Sequence, residues 1–523
     1  MSAESDPDLP ASRRELDVHA RLVRALQQPA PYPHPVDQIK LVETHISSVL
    51  LTGRYAYKIK KPLDLGFVDY GTLGRREHFC LEELRLNRRL APDLYLAVVA
   101  ITGSADRPKL GASGRPIEYA VKMRQFSQDD LLSHLLERGQ LEVEAIEHVA
   151  SRLARFHGEI ETAGEYTPFG KPESVLAPMH QNFEQLRLLL TDGKLLSQLA
   201  RLERWTGRQY QSLVHALTER KARGYIRECH GDLHLNNIVQ LNGEPTIFDG
   251  VEFNDALRWI DVMSELAFLI MDLDDRGAPG MANRALNAYL HKSGDYGGIL
   301  LLRFYQVYRA VVRAKIACIR VEQNDKQHAI LDQYRSYASL AERYTQAPKP
   351  YLLINHGVTG SGKSTISRQL ADVLGAIWLR SDVERGRDGY GVNRGRYSVS
   401  ARDAVYDRLL QLSGAIIDSG FGVIVDATFL QAAQRARFRA LAGAKHLPFL
   451  IIETHADEAE LRERVGRRLR QGDDPSEADL EVLDNHLKTR EPLFGQELAV
   501  TVSIEAGNEL PVTEIRRRCG LSG

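Results

Sequence analysis

Cysteine is scarce in this chain and never paired. Cys80, Cys229, Cys318 and Cys519 are the only four in 523 residues, far apart and without a C-x-x-C spacing. That spacing suggests neither a zinc ribbon nor a disulfide framework, and a reducing cytoplasm is the simple reading. Long apolar runs are missing too. No stretch reaches the ~18 apolar residues of a membrane helix. The most apolar segment, Leu266–Met271 (LAFLIM), is flanked by Glu265 and Asp272 and reads as a buried helix. The opening MSAESDPDLPASRREL lacks the basic start and apolar stretch of a signal peptide. Charge of one sign is also lacking: the formal net charge is −1, which gives general polyanion binding no support. No internal repeat or low-complexity tract occurs. What is present is an ordinary globular composition, 43% apolar and 26% charged. The length allows roughly two to four domains.

Residues 1–10 read as a disordered tail and Arg13–Leu26 as an amphipathic helix, stopped by the Pro-rich QQPAPYPHP; together, 1–39 form a tail and helix. ISSVLL and RYAYKIKK flank a turn at Thr52-Gly53, a hairpin signal. GRREHFCLEELRLNRRL reads as a helix, DLYLAVVAI and PIEYAVKMRQF as strands, and QDDLLSHLLERG as a helix again. The chain is then mostly helical to residue 345. The exception is CHGDLHLNNIVQLNGEPTIFDG, read as a loop, a strand IVQL, a turn at Asn242-Gly243 and a strand TIF. QAPKP (Gln346–Pro350) is a linker candidate. After it YLLINHG, IWL, GVIVDAT and FLIIETHA alternate with helical stretches, the pattern of a mostly parallel sheet.

GVTGSGKS, Gly357 to Ser364, matches G-x-x-x-x-G-K-[ST] between a strand and a helix. In such a loop, Gly357, Val358, Thr359, Gly360, Ser361 and Gly362 turn backbone N–H groups toward phosphates, at the positive end of a helix. Lys363 can reach the β- and γ-phosphates, Ser364 can ligate Mg²⁺, and Thr365 follows in the helix. Asp382, in WLRSDVER, and Asp426, in VIVDAT, sit at strand ends that open onto the ligand crevice of a parallel sheet. A carboxylate there can take a proton from an attacking hydroxyl or hold the metal's water shell. Taken singly, Asp382 could be a helix N-cap and Asp426 a turn residue. Arg464, Arg467, Arg468 and Arg470 form either a solvated basic face or a lid that brings charge to the phosphates.

This part, 351–523, resembles the small P-loop kinases of the polynucleotide-kinase, gluconate-kinase and zeta-toxin type. The resemblance rests on GVTGSGKST, Ser381–Arg385, the strand-end Asp426 and the Arg-rich stretch. It implies an α/β P-loop NTPase domain with a mostly parallel sheet, with ATP and Mg²⁺ as cofactors. Asp382 and Lys363 would be catalytic, Ser364 and Asp426 would serve the metal, and Arg464 and Arg468 would contact the nucleotide.

HGDLHLNNIV, His230 to Val239, admits two readings. His230, Asp232 and His234 could begin a metal cage, which would want a fourth ligand. In H-x-D-x-x-x-x-N, however, Asp232 accepts the substrate hydroxyl's proton and Asn237 binds Mg²⁺, with a second metal Asp after a short hairpin. TIFDG supplies Asp249 for that place. The same plan needs a strand lysine and a helix glutamate upstream. Lys58 in RYAYKIKK fits, with Lys60 on the same strand face as an alternative. Glu83 in EELRLNRRL fits, with Glu82 as its competitor.

Residues 40–345 resemble the aminoglycoside phosphotransferase family of small-molecule kinases, through Ala56–Lys58, EELRLNRRL, HGDLHLNN and IFDG. The resemblance implies an α+β protein-kinase-like fold with a small β-rich lobe and a large helical lobe. Met123–Gln125 would be the hinge beside the adenine. No G-x-G-x-x-G is present; Ser47-Ser48 stands in its place, and Asp261 and Glu265 keep acids after the metal Asp. Acceptors in that fold include choline, homoserine and sugars. The two-part layout also resembles bacterial proteins in which such a domain is fused to a P-loop ATPase. The leading expectation is a cytoplasmic, bifunctional, ATP- and Mg²⁺-dependent phosphotransferase acting on small-molecule hydroxyl acceptors. The alternatives are a nucleotide switch in one half controlling the other, or a nucleic-acid end kinase, which is less favoured.

Overall fold

Alternation along Tyr55–Lys60 (YAYKIK) sets the plan of the first half: Tyr57 and Ile59 face one way, Ala56, Lys58 and Lys60 the other. A computed structural model describes residues 11–66, 68–321, 327–346, 349–387, 399–471, 479–505 and 507–521. Its contacts divide into two units: Met1–Ala145, Glu159–Val175 and His215–Glu265 in one; Ile146–Gly158, Leu176–Val214 and Leu266–Gly523 in the other. Residues 1–10, expected as a tail, and 347–348 of the linker segment lie outside the described residues. No described helix is long and apolar enough to cross a membrane.

In chain order the first unit opens with α1 (Ala11–Ala25), β1 (Lys40–Glu43), β2 (Ser47–Leu51), β3 (Tyr55–Lys60), α2 (Leu73–Arg88), β4 (Tyr95–Ser104), β5 (Arg107–Leu110) and β6 (Pro116–Arg124). The six strands form one antiparallel sheet, β1-β2-β3-β6-β4-β5. β1 and β5 are short additions that the sequence reading did not separate. On one face Tyr57, Ile59 and Ile101 pack with Leu22 of α1 and with Leu26 just after it. On the other, Ala56, Val121 and Met123 pack with Cys80 of α2. Thr72 caps α2 by accepting from Arg75 N at 3.3 Å. Lys58 and Lys60 therefore point toward α2.

The chain continues through α3 (Leu132–Glu137), α4 (Val143–Glu159), α5 (Pro172–Leu189) and α6 (Gly193–Ala222) to β7 (Ile226–Glu228), β8 (Ile238–Leu241) and β9 (Glu244–Ile247). β8 and β9 are an antiparallel hairpin whose turn places Asn242 at φ 51°, as a tight two-residue turn requires. α7 (Asp255–Arg258) and β10 (Trp259–Asp261) follow, and β10 pairs with β7. That two-stranded ribbon was missed, because three-residue strands leave no alternation to detect.

α8 (Val262–Asp275) carries LAFLIM, which is buried as expected. After it come α9 (Pro279–Ser293), α10 (Ile299–Val321) and α11 (Gln327–Thr345). Phe183, Leu186 and Leu202 form a core with Phe268, Val307, Val311 and Tyr334. The rest of the second unit alternates: β11 (Leu352–His356), α12 (Lys363–Leu374), β12 (Ile377–Arg380), α13 (Ser381–Arg387), α14 (Val399–Asp418), β13 (Val423–Asp426), α15 (Ala432–Ala444), β14 (Phe449–His455), α16 (Glu458–Gln471), α17 (Leu480–Thr489), α18 (Gln496–Ala499), β15 (Thr501–Glu505) and α19 (Val512–Arg518). The five strands are all parallel, ordered β12-β13-β11-β14-β15. β15 (TVSIE) was not among the strands expected from sequence. β12 and β15 are the edges, and β11 is central and buried throughout.

Candidate active sites

The first unit gathers its charged residues between β3, α2 and the segment after β9. Glu83 is fully buried, and its carboxylate meets Lys58 Nζ at 2.9 Å and Lys60 Nζ at 2.7 Å. Burial alone would push the Glu83 carboxyl up, but the two ammonium groups outweigh it and hold the pKa at about 2. Lys58 also lies 2.5 Å from Asp249 Oδ1. Burial opposes its charge, yet Asp249 and Glu83 keep it protonated well above the usual lysine range. Lys60 instead turns inward to Glu252 and Tyr70. Both lysines thus reach Glu83, and only Lys58 reaches Asp249. Glu82 is engaged elsewhere, with Arg85 at 2.8 Å.

The HGDLHLNN segment is held from several sides. Gly231 has φ 90°, and a Cβ there would stand 2.8 Å from Leu257 O. Its N–H donates to Glu265 Oε1 at 2.6 Å. His230 Nε2 donates to Phe248 O at 2.8 Å, and its Nδ1 accepts from Asp232 N at 3.3 Å. Both ring nitrogens are therefore engaged, one within the loop and one by Phe248 O after β9, and a cage built on His230 does not form. Asn237 donates from Nδ2 to Asp232 O at 2.9 Å and Asp232 Oδ2 at 3.2 Å, which leaves its Oδ1 as the free oxygen type for a cation. His234 Nε2 lies 3.4 Å from Asp232 Oδ2.

Asp249 has φ 65°, a left-handed backbone that a non-glycine residue adopts at a cost. Tyr95 OH accepts from its N–H at 3.1 Å, and Asn87 Oδ1 accepts from Gly250 N at 2.8 Å. Asn87 also donates to Glu83 O at 2.9 Å, so one side chain ties α2 to the Asp249 turn. Tyr95, Asn87 and Glu252 were missed by sequence reasoning. Asn87 follows Glu83 by one helical turn, a signal that could have found it. Met123 is buried with Ala56, Leu131, Val239 and Phe248, and Gln125 Oε1 accepts from Gly53 N at 2.8 Å. Asp261 is tied by Arg220 at 2.6 Å and 2.7 Å.

The second unit's loop runs from β11 into α12. A Cβ at Gly357 would meet Thr454 Oγ1 at 2.5 Å and Thr454 O at 2.6 Å, so only glycine fits. Val358 packs with Leu430, Leu461, Val465 and Leu483. Thr359 is buried, and Ser361 bonds Val358 O at 2.9 Å and Thr454 Oγ1 at 2.7 Å. Gly360 and Gly362 are left-handed, Lys363 opens α12, and its Nζ donates to Val358 O at 2.6 Å. Thr365 is exposed on α12.

Asp426 ends β13 and is bonded by Ser364, by Asn355 Nδ2 at 3.2 Å and by Trp378 Nε1 at 3.3 Å. Burial pushes its pKa up, against the pull of Arg380, Ser364 and Lys363. Asp382 lies in the first turn of α13, one residue inside the helix rather than at its N-cap, and pairs with Arg385 at 2.9 Å. Arg464 Nη1 reaches Gly360 O at 3.4 Å from α16. Arg467 and Arg470 are exposed, and the Arg468 side chain lies outside the described residues. Asn355 and Trp378 were not anticipated.

The donor sets fit Mg²⁺. Ser364 with Asp426, and Asn237 with Asp249, offer only hydroxyl, amide and carboxylate oxygens, which suit a hard cation.

Comparison with known proteins finds one family over each candidate site, the first match running past Glu265 into the second unit. The Phosphotransferase enzyme family matches residues 76–302, and the AAA domain family matches residues 352–493. An uncharacterized protein of Mycobacterium tuberculosis (strain H37Rv) is 31% identical over 447 residues, covering 83% of this chain and 88% of the relative. A protein of Mycobacterium bovis matches to the same extent. A shikimate kinase of Halorhodospira halophila is 30% identical over 159 residues, covering 29% of this chain and 82% of that enzyme. Similar solved structures include a gluconokinase from Sinorhizobium meliloti, at 22% identity and TM-score 0.25, covering 33% of this chain and 90% of that one. Another is a choline/ethanolamine kinase family protein from Mesorhizobium loti, at 13% identity and TM-score 0.39, covering 63% and 98%. The chain belongs to the same family as the mycobacterial proteins, and joins an aminoglycoside phosphotransferase-like domain to a P-loop kinase domain.

Proposed function

We propose that the chain is a bifunctional ATP-dependent phosphotransferase, each domain passing the γ-phosphate of ATP to a hydroxyl of a small-molecule acceptor. The observation that carries this reading is the Glu83–Lys58–Asp249 chain beside Asp232 and Asn237. In the first domain Lys58, held by Glu83, meets the α/β-phosphates, and Asp232 accepts the acceptor's proton. Asn237 and Asp249 would hold Mg²⁺, which would supply charge neutralisation at the phosphates. The nucleotide base rests beside Met123.

In the P-loop domain the N–H groups from Gly357 to Thr365 and the Lys363 ammonium cradle the phosphates. Ser364 and Asp426 serve the metal, Asp382 is the base, and Arg464 and Arg468 bring charge from α16. Both sites act by positioning and charge neutralisation rather than by covalent chemistry. A cytoplasmic location suits buried cysteines that are outside any disulfide.

The test incubates the full chain, and its Asp232→Asn and Asp382→Asn forms, with labelled ATP, Mg²⁺ and a metabolite extract. Species labelled by the wild type and lost in one variant assign an acceptor to each domain. If the wild type labels nothing, the bifunctional reading fails.

A further inference from the structure

β12 is an edge strand, and among the described residues no sixth strand pairs with its outward backbone groups. In the parallel ladder Ile377 N turns inward to Gly422 O at 2.9 Å; Ala376 N is taken by Ala371 O at 3.1 Å, and the carbonyls of Ala376 and Trp378 and the N–H of Trp378 face outward. They are met by one stripe of α9. Asn283 Nδ2 donates to Ala376 O at 3.1 Å. Asn287 donates to Ala376 O at 3.0 Å and accepts from Trp378 N at 2.7 Å. His291 Nε2 donates to Trp378 O at 2.7 Å, with its ring edge-on to the Trp378 indole at 5.1 Å. The spacing of four puts all three on one helix face. Asn283 and Asn287 are buried, so these side chains supply the partners that the edge groups need where water does not reach.

The same helix reaches the next segment. Arg387, at the end of α13, donates to Leu290 O at 3.3 Å and His291 O at 2.7 Å. Arg284 pairs with Asp372 of α12. α9 therefore grips both ends of Ala376–Arg387, the stretch that carries Asp382. It also fixes Trp378, whose indole N–H donates to Asp426 and whose ring lies 4.7 Å beneath the Arg380 guanidinium. A short relay runs from Asn287 through Trp378 to Asp426.

We propose that Asn287 and His291 are positioning residues of the P-loop site. They hold Trp378 and the Asp382-bearing segment from α9, a helix that lies within the residues matched by the Phosphotransferase enzyme family. The P-loop site is thus completed by a helix upstream of it in the chain, and is sensitive to whatever shifts that helix. This rests on the reading that the P-loop domain turns over ATP.

The test uses the full chain with Asp232→Asn, so that only the P-loop domain contributes to turnover. Asn287→Ala and His291→Phe remove the bonds; His291→Gln keeps a donor. Each is followed by kcat and KM for ATP, by thermal midpoint, and by ¹⁹F NMR of the 5-fluorotryptophan-labelled protein. The three tryptophans give three resonances, with Trp378 assigned by Trp378→Phe. The expected result is a shift of the Trp378 resonance and a fall of about 10-fold or more in kcat in Asn287→Ala and His291→Phe. KM for ATP should change less than about 2-fold, because the loop from Gly357 to Ser364 is untouched, and His291→Gln should recover most of kcat. A folded Asn287→Ala protein with unchanged kcat and an unmoved Trp378 resonance overturns the proposal. So does an equal loss in His291→Gln and His291→Phe. If the parent protein shows no ATP turnover, the kinase reading of this domain fails by itself, and the Trp378 resonance then decides the coupling.

Discussion

Glu83 and Lys58 meet at 2.9 Å, and the second oxygen of the same carboxylate holds Lys60 at 2.7 Å. One buried acid thus serves two lysines of one strand face, and the lysines differ in what else they touch. Lys58 is 13% exposed and reaches Asp249; Lys60 is fully buried and reaches Glu252.

That difference predicts a separation of activity from stability. Lys58→Met takes the partner from one Glu83 oxygen but keeps Lys60 on the other and leaves a partly exposed Asp249, so it should cost less stability than Lys60→Met. It should still lower ATP-dependent turnover at this site by on the order of 100-fold. Lys60→Met strands Glu252 and half of Glu83 in the interior, and should cost about 3–5 kcal/mol. Urea unfolding and turnover, both in an Asp382→Asn background, distinguish the two.

Acid should weaken the fold in two stages. Burial lowers the pKa of His19, His291 and His486 to about 4, from an ordinary value near 6.5. The unfolded chain therefore binds more protons in that window, and stability falls as pH drops from 6.5 toward 4. Glu83, held at about 2, resists until pH passes below its ordinary 4.5 and approaches 2. Urea midpoints at pH 7.5, 6 and 5 should decline, and His19→Gln should flatten part of that slope, by on the order of 1–2 kcal/mol. An unchanged slope in His19→Gln would contradict the assignment of His19.

Gly357→Ala should disable the P-loop domain. The added methyl would stand 2.5 Å from Thr454 Oγ1 and 2.6 Å from a backbone carbonyl, so the loop must move away from β14. Loss of nucleotide binding there and a stability cost of about 2 kcal/mol or more are expected. Gly443→Ala is the control: its site on α15 is open, and it should gain up to about 1 kcal/mol. Calorimetric ATP titration and thermal unfolding of both variants check this.

Asn242→Val should loosen the β8–β9 hairpin. Asn242 sits at φ 51°, where a β-branched side chain is strained by about 1–2 kcal/mol. The hairpin leads directly into Asp249, so turnover in the first domain should fall along with stability. Equal stability of Asn242→Val and wild type would show that the turn does not constrain the segment.

The sequence by itself determined what is local. The Gly357–Ser364 loop, the Asn242-Gly243 turn, the β2–β3 hairpin and the order HGDLHLNN then IFDG are contiguous patterns, and backbone sterics and period-2 or helical spacing make them readable. It also set Lys58 and Lys60 on one face, since strands alternate, but offered no means to rank Glu82 against Glu83. The tertiary structure decided that, because burial against β3 selects Glu83 while Glu82 faces Arg85. It alone brought Tyr95 and Asn87 to the Asp249 turn, and brought Phe248 O to His230 Nε2, since those bonds join residues far apart in the chain. The edge of β12 is the clearest case. Asn283, Asn287 and His291 look like ordinary helix residues until packing places them against the outer edge of β12, where buried backbone groups must find partners.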